Sequence, residues 1–382
     1  MEKWGKGKVR KLANKIALFL PSLRGGGAER VMVNLARGFY DQGINVDLVL
    51  AKAEGPYLSE VPAGVRVIDL HSSRVLFSLP GLVRYLRRER PQSILSAMDH
   101  ANIVVIWARK LSGVPCRVIV SVHSTLSRAL TNNPNLRGYL MPNLIRIFYP
   151  WADTVVAVSN GVAEDFANIT RLPRESIKVI YNPIVTPELL EKAKEVVEHP
   201  WFLPGEPPVI LSVGRLTKAK DYPTLIRAFA LVRRKYPARL MILGEGEERA
   251  KLEALAQELG LQDDISLPGF VDNPYAYMAR AAVFVLSSAW EGFGNVLVEA
   301  MAVGTPVVAT GCPSGPAEIL EGGKWGKLVP VGDANAMAQA ILSTLSGQEV
   351  KMDFQNRALK FTIERITKYY LEALSISIGY GE

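Results

Sequence analysis

An α/β architecture of two doubly wound parallel sheets is predicted by three features of this 382-residue sequence. Short β-branched runs alternate with longer helical patterns. The alternation stops at a proline-rich stretch near the middle and then restarts. The length also suffices for two hydrophobic cores.

In the first half the strand pattern falls on Ile16–Leu20, Val46–Leu50, Val65–Leu70, Ser93–Ala97, Arg117–Val122 and Thr154–Val158. A helix is expected over Ala28–Asp41, where Met32, Leu35 and Phe39 share a face and Gly43 supplies a stop. In the second half the strands read at Val209–Val213, Leu240–Leu243, Val283–Ser287 and Val307–Ala309. Pro223 opens the helix after the first of these, and Leu225, Phe229 and Val232 form its apolar stripe. Between the halves lie Pro187, Pro200, Pro204, Pro207 and Pro208 and no strand pattern. The expected organisation is a basic arm (1–14), a Rossmann-like domain (15–186), a linker (187–207), a second Rossmann-like domain (208–353) and a C-terminal segment (354–382). Ligands of such sheets bind beyond the carboxyl ends of the strands, so a cleft there is the expected site.

Two cysteines, Cys116 and Cys312, exclude a disulfide scaffold and fit a reducing, cytoplasmic compartment. With four histidines, a thiol-based metal site would lack ligands. The apolar run IALFLP is too short for a secretory signal and is followed by RGGGAER rather than a cleavage site. No other stretch approaches the roughly 18 apolar residues of a membrane span. The net charge of +8 is uneven: residues 1–185 carry 25 Lys/Arg against 13 Asp/Glu, and the remainder carries 20 against 24. An anionic partner of the first half, or simply a soluble basic surface, explains that asymmetry.

Four segments follow predicted strands. Arg24-Gly25-Gly26-Gly27-Ala28-Glu29 opens the first helix, where glycines admit close backbone approach and free N–H groups suit an anion. Alone it also reads as a plain glycine-rich turn, and it is no G-x-G-x-x-G fingerprint. Gly214-Arg215-Leu216-Thr217-Lys218-Ala219-Lys220-Asp221 puts two cations, Arg215 and Lys220, before a helix, as a diphosphate clamp or as solvated loop residues. Glu291-Gly292-Phe293-Gly294-Asn295-Val296-Leu297-Val298-Glu299 sets two carboxylates eight positions apart around a turn and a helix start. Carboxylates accept from sugar hydroxyls and the amides between them take phosphate oxygens; a first-turn acid favoured by the helix dipole is the plainer reading of Glu299. Ser121-Val122-His123-Ser124 presents His123, which alone reads equally as structural, and Asp99-His100-Ala101-Asn102 is a vaguer polar cluster.

With these segments in hand, the chain resembles the retaining glycosyltransferases of family 4 (glycosyl transferases group 1), which have the GT-B fold. The likeness runs from about residue 15 to 375 through PSLRGGGAERVMVNLA, VSVHS, VAVSNGVAEDF, VIYNPI, SVGRLTKAKDYPTLIRAFA, MILGEGEER and SSAWEGFGNVLVEAMAVGTPVVATGCPSGPAEIL. It implies that Glu299 holds the donor ribose and Glu291 the transferred sugar. It implies further that the amides of Phe293 and Gly294 hold that sugar and those of Asn295 and Val296 the phosphate. Arg215 and Lys220 would neutralise the diphosphate, with the Gly26–Gly27 backbone closing over it. His123 would contact the sugar beside the reacting carbon, and the base would rest on Gly269-Phe270-Val271. A helix over about Phe354 to Leu374 would cross back to the N-terminal domain. One departure is Asp221, where the family often has glycine after the lysine; Asp221 is expected to cap the next helix.

The resemblance implies transfer from a nucleotide-diphosphate sugar, UDP by the YNPI and CPSGPAEIL segments, to a hydroxyl with retention. The two cations and the amides named would serve without a divalent metal or other cofactor, consistent with the missing D-x-D-type motif. The acceptor would be a glycan or polyisoprenoid-linked saccharide held by the basic first domain. Arg84 to Arg90 and Asn135 to Trp151 mix cations with apolar residues, which suits peripheral contact with an anionic membrane or a packed helix face with solvated arginines. Three rivals stand beside this. A catalytically silent nucleotide-sugar-binding or scaffold protein would share the fold, a GT-B epimerase would share the architecture, and nucleic-acid binding lacks any recognised module.

Overall fold

The structure is a computed structural model that describes residues 15–127, 136–347 and 353–376. The basic arm, residues 1–14, lies outside the described residues, as does Asn135 of the second cationic stretch.

Thirteen strands are described: β1 (Lys15–Leu20), β2 (Asn45–Leu50), β3 (Arg66–Asp69), β4 (Ser93–Ala97), β5 (Arg117–Val122), β6 (Thr154–Ala157), β7 (Ile177–Val179), β8 (Val209–Val213), β9 (Arg239–Leu243), β10 (Ile265–Gly269), β11 (Val283–Leu286), β12 (Val307–Thr310) and β13 (Lys327–Val329). They form a seven-stranded sheet, β3-β2-β1-β4-β5-β6-β7, and a six-stranded sheet, β10-β9-β8-β11-β12-β13. The registered pairs are parallel, for example Leu18 with Leu48 and Leu211 with Met241. Parallel strands buried on both faces read as continuous apolar runs, and Ile16 to Leu20 are fully inaccessible. Strand order reverses between β1 and β4 and again between β8 and β11, the switch points where doubly wound sheets open a crevice.

Three strands escape the sequence pattern. β7 and β13 have three residues each, and β10 reads Ile-Ser-Leu-Pro-Gly, with two residues that strands disfavour.

The chain divides into two compact units. One comprises the described residues up to Ser121 with Ile147–Val155 and the end of the chain from Tyr369; the other comprises those of Val122–Arg146 and Val156–Lys368. In the first unit the Ser93 hydroxyl donates to the Leu374 carbonyl at 3.0 Å and Arg117 Nε to the Ala373 carbonyl at 3.0 Å. Lys15, Asp47, Arg66, Tyr85 and Glu89 form an ion network in the same unit, with Arg66 on Asp47 at 2.6 Å and on Glu89 at 2.7 Å.

Residues 187–207 contain a helix, Pro187–Lys192, capped by the Thr186 hydroxyl, and a short turn at Pro200–Phe202. The single C-terminal helix expected over Phe354 to Leu374 is two helices, Phe354–Ala358 and Ile363–Ala373. Between them the Phe361 carbonyl accepts from the amides of Ile184 and Val185, and Thr362 bridges to Val185, so the backbone leaves the helical path.

Candidate active site

The second unit assembles most of the predicted residues on the two strands beside its switch point. The loop after β8 carries Arg215 and Lys220, and the loop after β11 carries Glu291. These loops are stitched together by the Ser287 hydroxyl donating to the Lys220 carbonyl at 2.6 Å and the Ala289 amide to the Ala219 carbonyl at 2.8 Å. Lys220 Nζ thereby meets Glu291 Oε1 at 2.5 Å, and the Ser288 hydroxyl donates to the same oxygen at 2.6 Å. The lysine and glutamate side chains are 19% and 12% exposed, so the pair is shielded but reachable. Arg215 is exposed and its side chain pairs with no described residue, leaving its five donors available.

Asp221 departs from its expected role. Its backbone is left-handed (φ 44°), and its carboxylate accepts from the Thr224 hydroxyl at 2.7 Å instead of from a helix N–H. A left-handed position is where glycine is the unstrained choice, which is a physical reason for the glycine that the resemblance leads one to expect there.

The helix Asn295–Ala302 begins behind the pair. Gly294 lies at φ 97°, a turn that needs glycine, and releases the chain into the helix. The amides of Phe293, Gly294, Asn295 and Val296 have no acceptor among the described residues, as a helix start leaves them. They make a cradle for an anion. The Phe293 ring does not face it: it is buried against Tyr181 and Phe361, at 5.4 and 5.6 Å between centroids, and so anchors the loop. A side chain at Gly315 would strike the Phe293 carbonyl at 1.9 Å, which shows how tightly that backbone is held. Glu299 is buried one turn inside the helix.

His123 joins through backbone packing. A Cβ on Gly292 would lie 2.0 Å from the His123 carbonyl oxygen, and the Ser159 hydroxyl donates to the Gly292 carbonyl at 2.8 Å. Burial pushes the His123 imidazole down to about 4, so the ring is neutral at physiological pH. A neutral ring donates from one nitrogen and accepts at the other, which suits a sugar hydroxyl.

The proposed base-binding segment follows β10. Gly269 is left-handed at φ 93°, Phe270 is 69% exposed and Val271 is half-buried. The strand ends here approach closely: the Gly244 amide donates to the Gly269 carbonyl at 2.8 Å, and a Cβ on Gly244 would sit 2.0 Å from the Gly214 carbonyl.

Gly26 and Gly27 belong to the other unit. There Gly25 takes the turn at φ 106°, and the Glu29 carboxylate accepts the Gly26 amide proton, as in a capping box. The Gly26 N–H is therefore occupied, and Gly27 offers the first free amide of the helix Gly27–Asp41.

Sequence reasoning missed Ser287, Ser288 and Asn182, which fix the site from behind. Asn182 is buried and donates to Asn295 Oδ1 at 2.8 Å. Glu318 was also missed: its carboxylate accepts from the amides of Asn160 and Gly161, at 2.9 and 3.0 Å, and from the Tyr181 hydroxyl at 3.2 Å. Only their place within VIYNPI and CPSGPAEIL hinted at Asn182 and Glu318.

Comparison with known proteins places the chain in a family. Residues 25–187 match the family model for Glycosyltransferase Family 4, and residues 193–361 match that for Glycosyl transferases group 1. A Campylobacter jejuni N-acetylgalactosamine-N,N'-diacetylbacillosaminyl-diphospho-undecaprenol 4-alpha-N-acetylgalactosaminyltransferase is 32% identical over 90% of this chain and 93% of its own length. The lipopolysaccharide core biosynthesis glycosyltransferase LpsE of Rhizobium meliloti is 27% identical over 92% and 96%. Among solved structures, Anabaena Alr3699/HepE in complex with UDP and glucose superposes with a TM-score of 0.77 at 24% identity, covering 94% of this chain and 99% of that one. The fold is thus GT-B, and the chain belongs to the glycosyl transferases group 1, family 4 glycosyltransferases.

Proposed function

We propose that this glycosyltransferase moves a hexose or N-acetylhexosamine from a UDP-sugar to a hydroxyl of a glycan or polyisoprenoid-linked saccharide, with retention and without a divalent metal. The observation that carries the reading is the Lys220–Glu291 pair set beside the unoccupied amides of Phe293 to Val296. A cation and aligned N–H groups suit a departing diphosphate, and a carboxylate suits sugar hydroxyls. The UDP complexes of the Anabaena protein and the lipid-linked substrate in the Campylobacter protein's name support the donor and acceptor classes.

In the step itself the acceptor oxygen bonds to the anomeric carbon on the face the diphosphate leaves. The bond from that carbon to the phosphate oxygen breaks and its electron pair stays on the diphosphate. That oxygen then takes the acceptor's proton. Arg215, Lys220 and the amides hold the growing negative charge, Glu291 and His123 orient the sugar, and Glu299 holds the ribose. No helix among the described residues is long and apolar enough to cross a membrane. A cytoplasmic protein in peripheral contact with an anionic membrane is the location that fits a lipid-linked acceptor.

The test is thermal melting against UDP-, GDP- and ADP-sugars with EDTA present. A ligand bound only by the folded state stabilises by about 2.7 kcal/mol at 100 times its Kd. A rise with UDP-sugars alone is expected; a rise only with another base, or only after adding metal, rejects those parts of the proposal. No rise with any donor would favour a silent scaffold of the same fold.

A further inference from the structure

We propose that Arg249, gripping Glu245, is the positioning residue of the donor-base loop, Gly269-Phe270-Val271, and thereby sets which nucleotide the site prefers. The inference rests on the nucleotide-sugar donor proposed above. The loop leaves β10, and the backbone pairing of β10 holds it poorly. It is the edge strand of its sheet, with β9 on one side and no strand on the other among the described residues. Pro268 has no N–H to give to a ladder, and the pairing slips there. Three steps along β10, from Ser266 to Gly269, match two along β9, from Met241 to Leu243. Gly269 then takes φ 93°. The ladder alone therefore does not fix the direction in which the loop departs.

Arg249 supplies that restraint. It begins the helix Arg249–Glu258, which follows β9. Its Nε and Nη2 donate to the two oxygens of Glu245, at 2.9 and 2.6 Å, as a fork. Its Nη1 donates to the Glu253 carboxylate at 3.0 Å and to the Leu267 carbonyl, just before Pro268, at 3.1 Å. Glu245 is thereby laid against the loop: a Cβ on Gly269 would sit 2.8 Å from its Oε1 and 3.8 Å from Arg249 Nη2. The far end of the segment is held too, where the Asn273 amide donates to the Lys192 carbonyl and to Glu195, both at 2.8 Å. Between these anchors Phe270 and Asp272 are exposed and Val271 is half-buried, so a base laid there meets a segment fixed at both ends. Stability is a poor account of so many bonds. Glu245 and Glu253 are 55% and 52% exposed, and ion pairs in water contribute little. Placement of the loop explains them.

The experiment is calorimetry of the whole protein with UDP, GDP and inorganic pyrophosphate. Pyrophosphate reports Arg215, Lys220 and the amides of the cradle, whereas a nucleotide reports the base loop as well. Arg249→Met keeps the stem and removes the fork. It should weaken UDP about tenfold and leave pyrophosphate within about twofold of wild type. The ratio of UDP to GDP affinity should shrink by about threefold or more, because a loop out of place discriminates less. Arg249→Lys keeps the charge without the fork and should recover only part of the loss. Melting of both unliganded variants should match wild type. Equal weakening of nucleotide and pyrophosphate, or an Arg249→Met that binds like wild type, overturns the inference and leaves the transferase reading standing. Melting lowered in step with the loss of UDP binding assigns Arg249 to stability, which overturns it too. A wild type that prefers GDP strikes the UDP reading alone, and the same variants against GDP then decide the inference. A wild type that holds neither nucleotide better than pyrophosphate strikes the donor reading, and the inference with it.

Discussion

Lys220 and Glu291 form an ion pair at the candidate site, their charged atoms 2.5 Å apart. The cation and the carboxylate to which the proposed function gives the diphosphate and the sugar are thus each other's partners here. On the proposed reading, donor binding would be an exchange of anions at Lys220, with phosphate replacing carboxylate, and would free Glu291 for hydroxyl groups.

Substituting the two residues should give opposite results for binding and similar ones for turnover. Lys220→Ala removes the phosphate partner and should weaken UDP binding by about tenfold or more. Glu291→Gln removes the competing anion and should leave UDP binding equal or tighter. Both should cut sugar transfer by about 10²–10³-fold, the size seen when one charge-stabilising group is lost. Calorimetry with UDP and an initial-rate assay separate the two effects. Weaker UDP binding by Glu291→Gln would contradict the exchange.

Gly292→Ala should be costly although the new methyl is small. Its Cβ would lie 2.0 Å from the His123 carbonyl, a backbone atom with little room to yield. A loss of about 2 kcal/mol in stability is expected, with reduced transfer, because the Glu291 loop must move. Urea unfolding reads the first and a rate assay the second; an unperturbed variant would show the contact to be looser than described.

The low pKa of His123 has a pH signature. The ring is neutral from about 5 upward in the folded protein, held at about 4 by burial, but titrates near 6.5 once unfolded. Between those values the unfolded chain binds the extra proton, so stability contributed by this site falls as pH drops from 6.5 towards 4. His123→Gln should flatten that part of the stability profile. Imidazole carbon shifts that moved with a midpoint near 6.5 in the folded protein would refute the assignment.

The ion network of the first unit should set its acid limit. Hydrogen bonds from Arg66 and then Lys15 hold the Glu89 carboxyl down at about 2. Burial pushes Asp47 up, but Arg66, Tyr85 and Lys15 together outweigh it and lower it. Both pKa values are depressed, so the stabilisation is present above the ordinary 3.8 and 4.5 and disappears as pH falls through the folded values. Arg66→Met should cost about 2 kcal/mol by stranding the Asp47 charge, and should shift acid unfolding to higher pH. Circular dichroism during acid titration measures both.

How much of this was legible depended on whether a residue acts through its own pattern or through a partner. The buried strands announced themselves because both faces are covered and the apolar runs are continuous, as in β1 and β5. β7, β10 and β13 did not, since three residues or a Pro-Gly pair cannot set a period. Lys220 and Glu291 stood out by spacing from a strand end. Asn182 and Glu318 did not, because their importance lies in hydrogen bonds to Asn295, Asn160 and Gly161, residues more than a hundred positions away. The same limit hid the occupied Gly26 amide: a run of three glycines cannot show which N–H its own helix will consume.

The bonds from Leu374 and Ala373 to Ser93 and Arg117 make the first unit discontinuous in sequence. Tyr370, Leu371 and Leu374 are buried there, although more than two hundred residues of the other unit intervene before them. During synthesis the first sheet therefore waits for the last residues before its core is complete. An expressed fragment ending near residue 186 would lack part of its own interior. A circular permutant that restored residues 369–376 beside β4 and β5 is the form in which that half could stand alone.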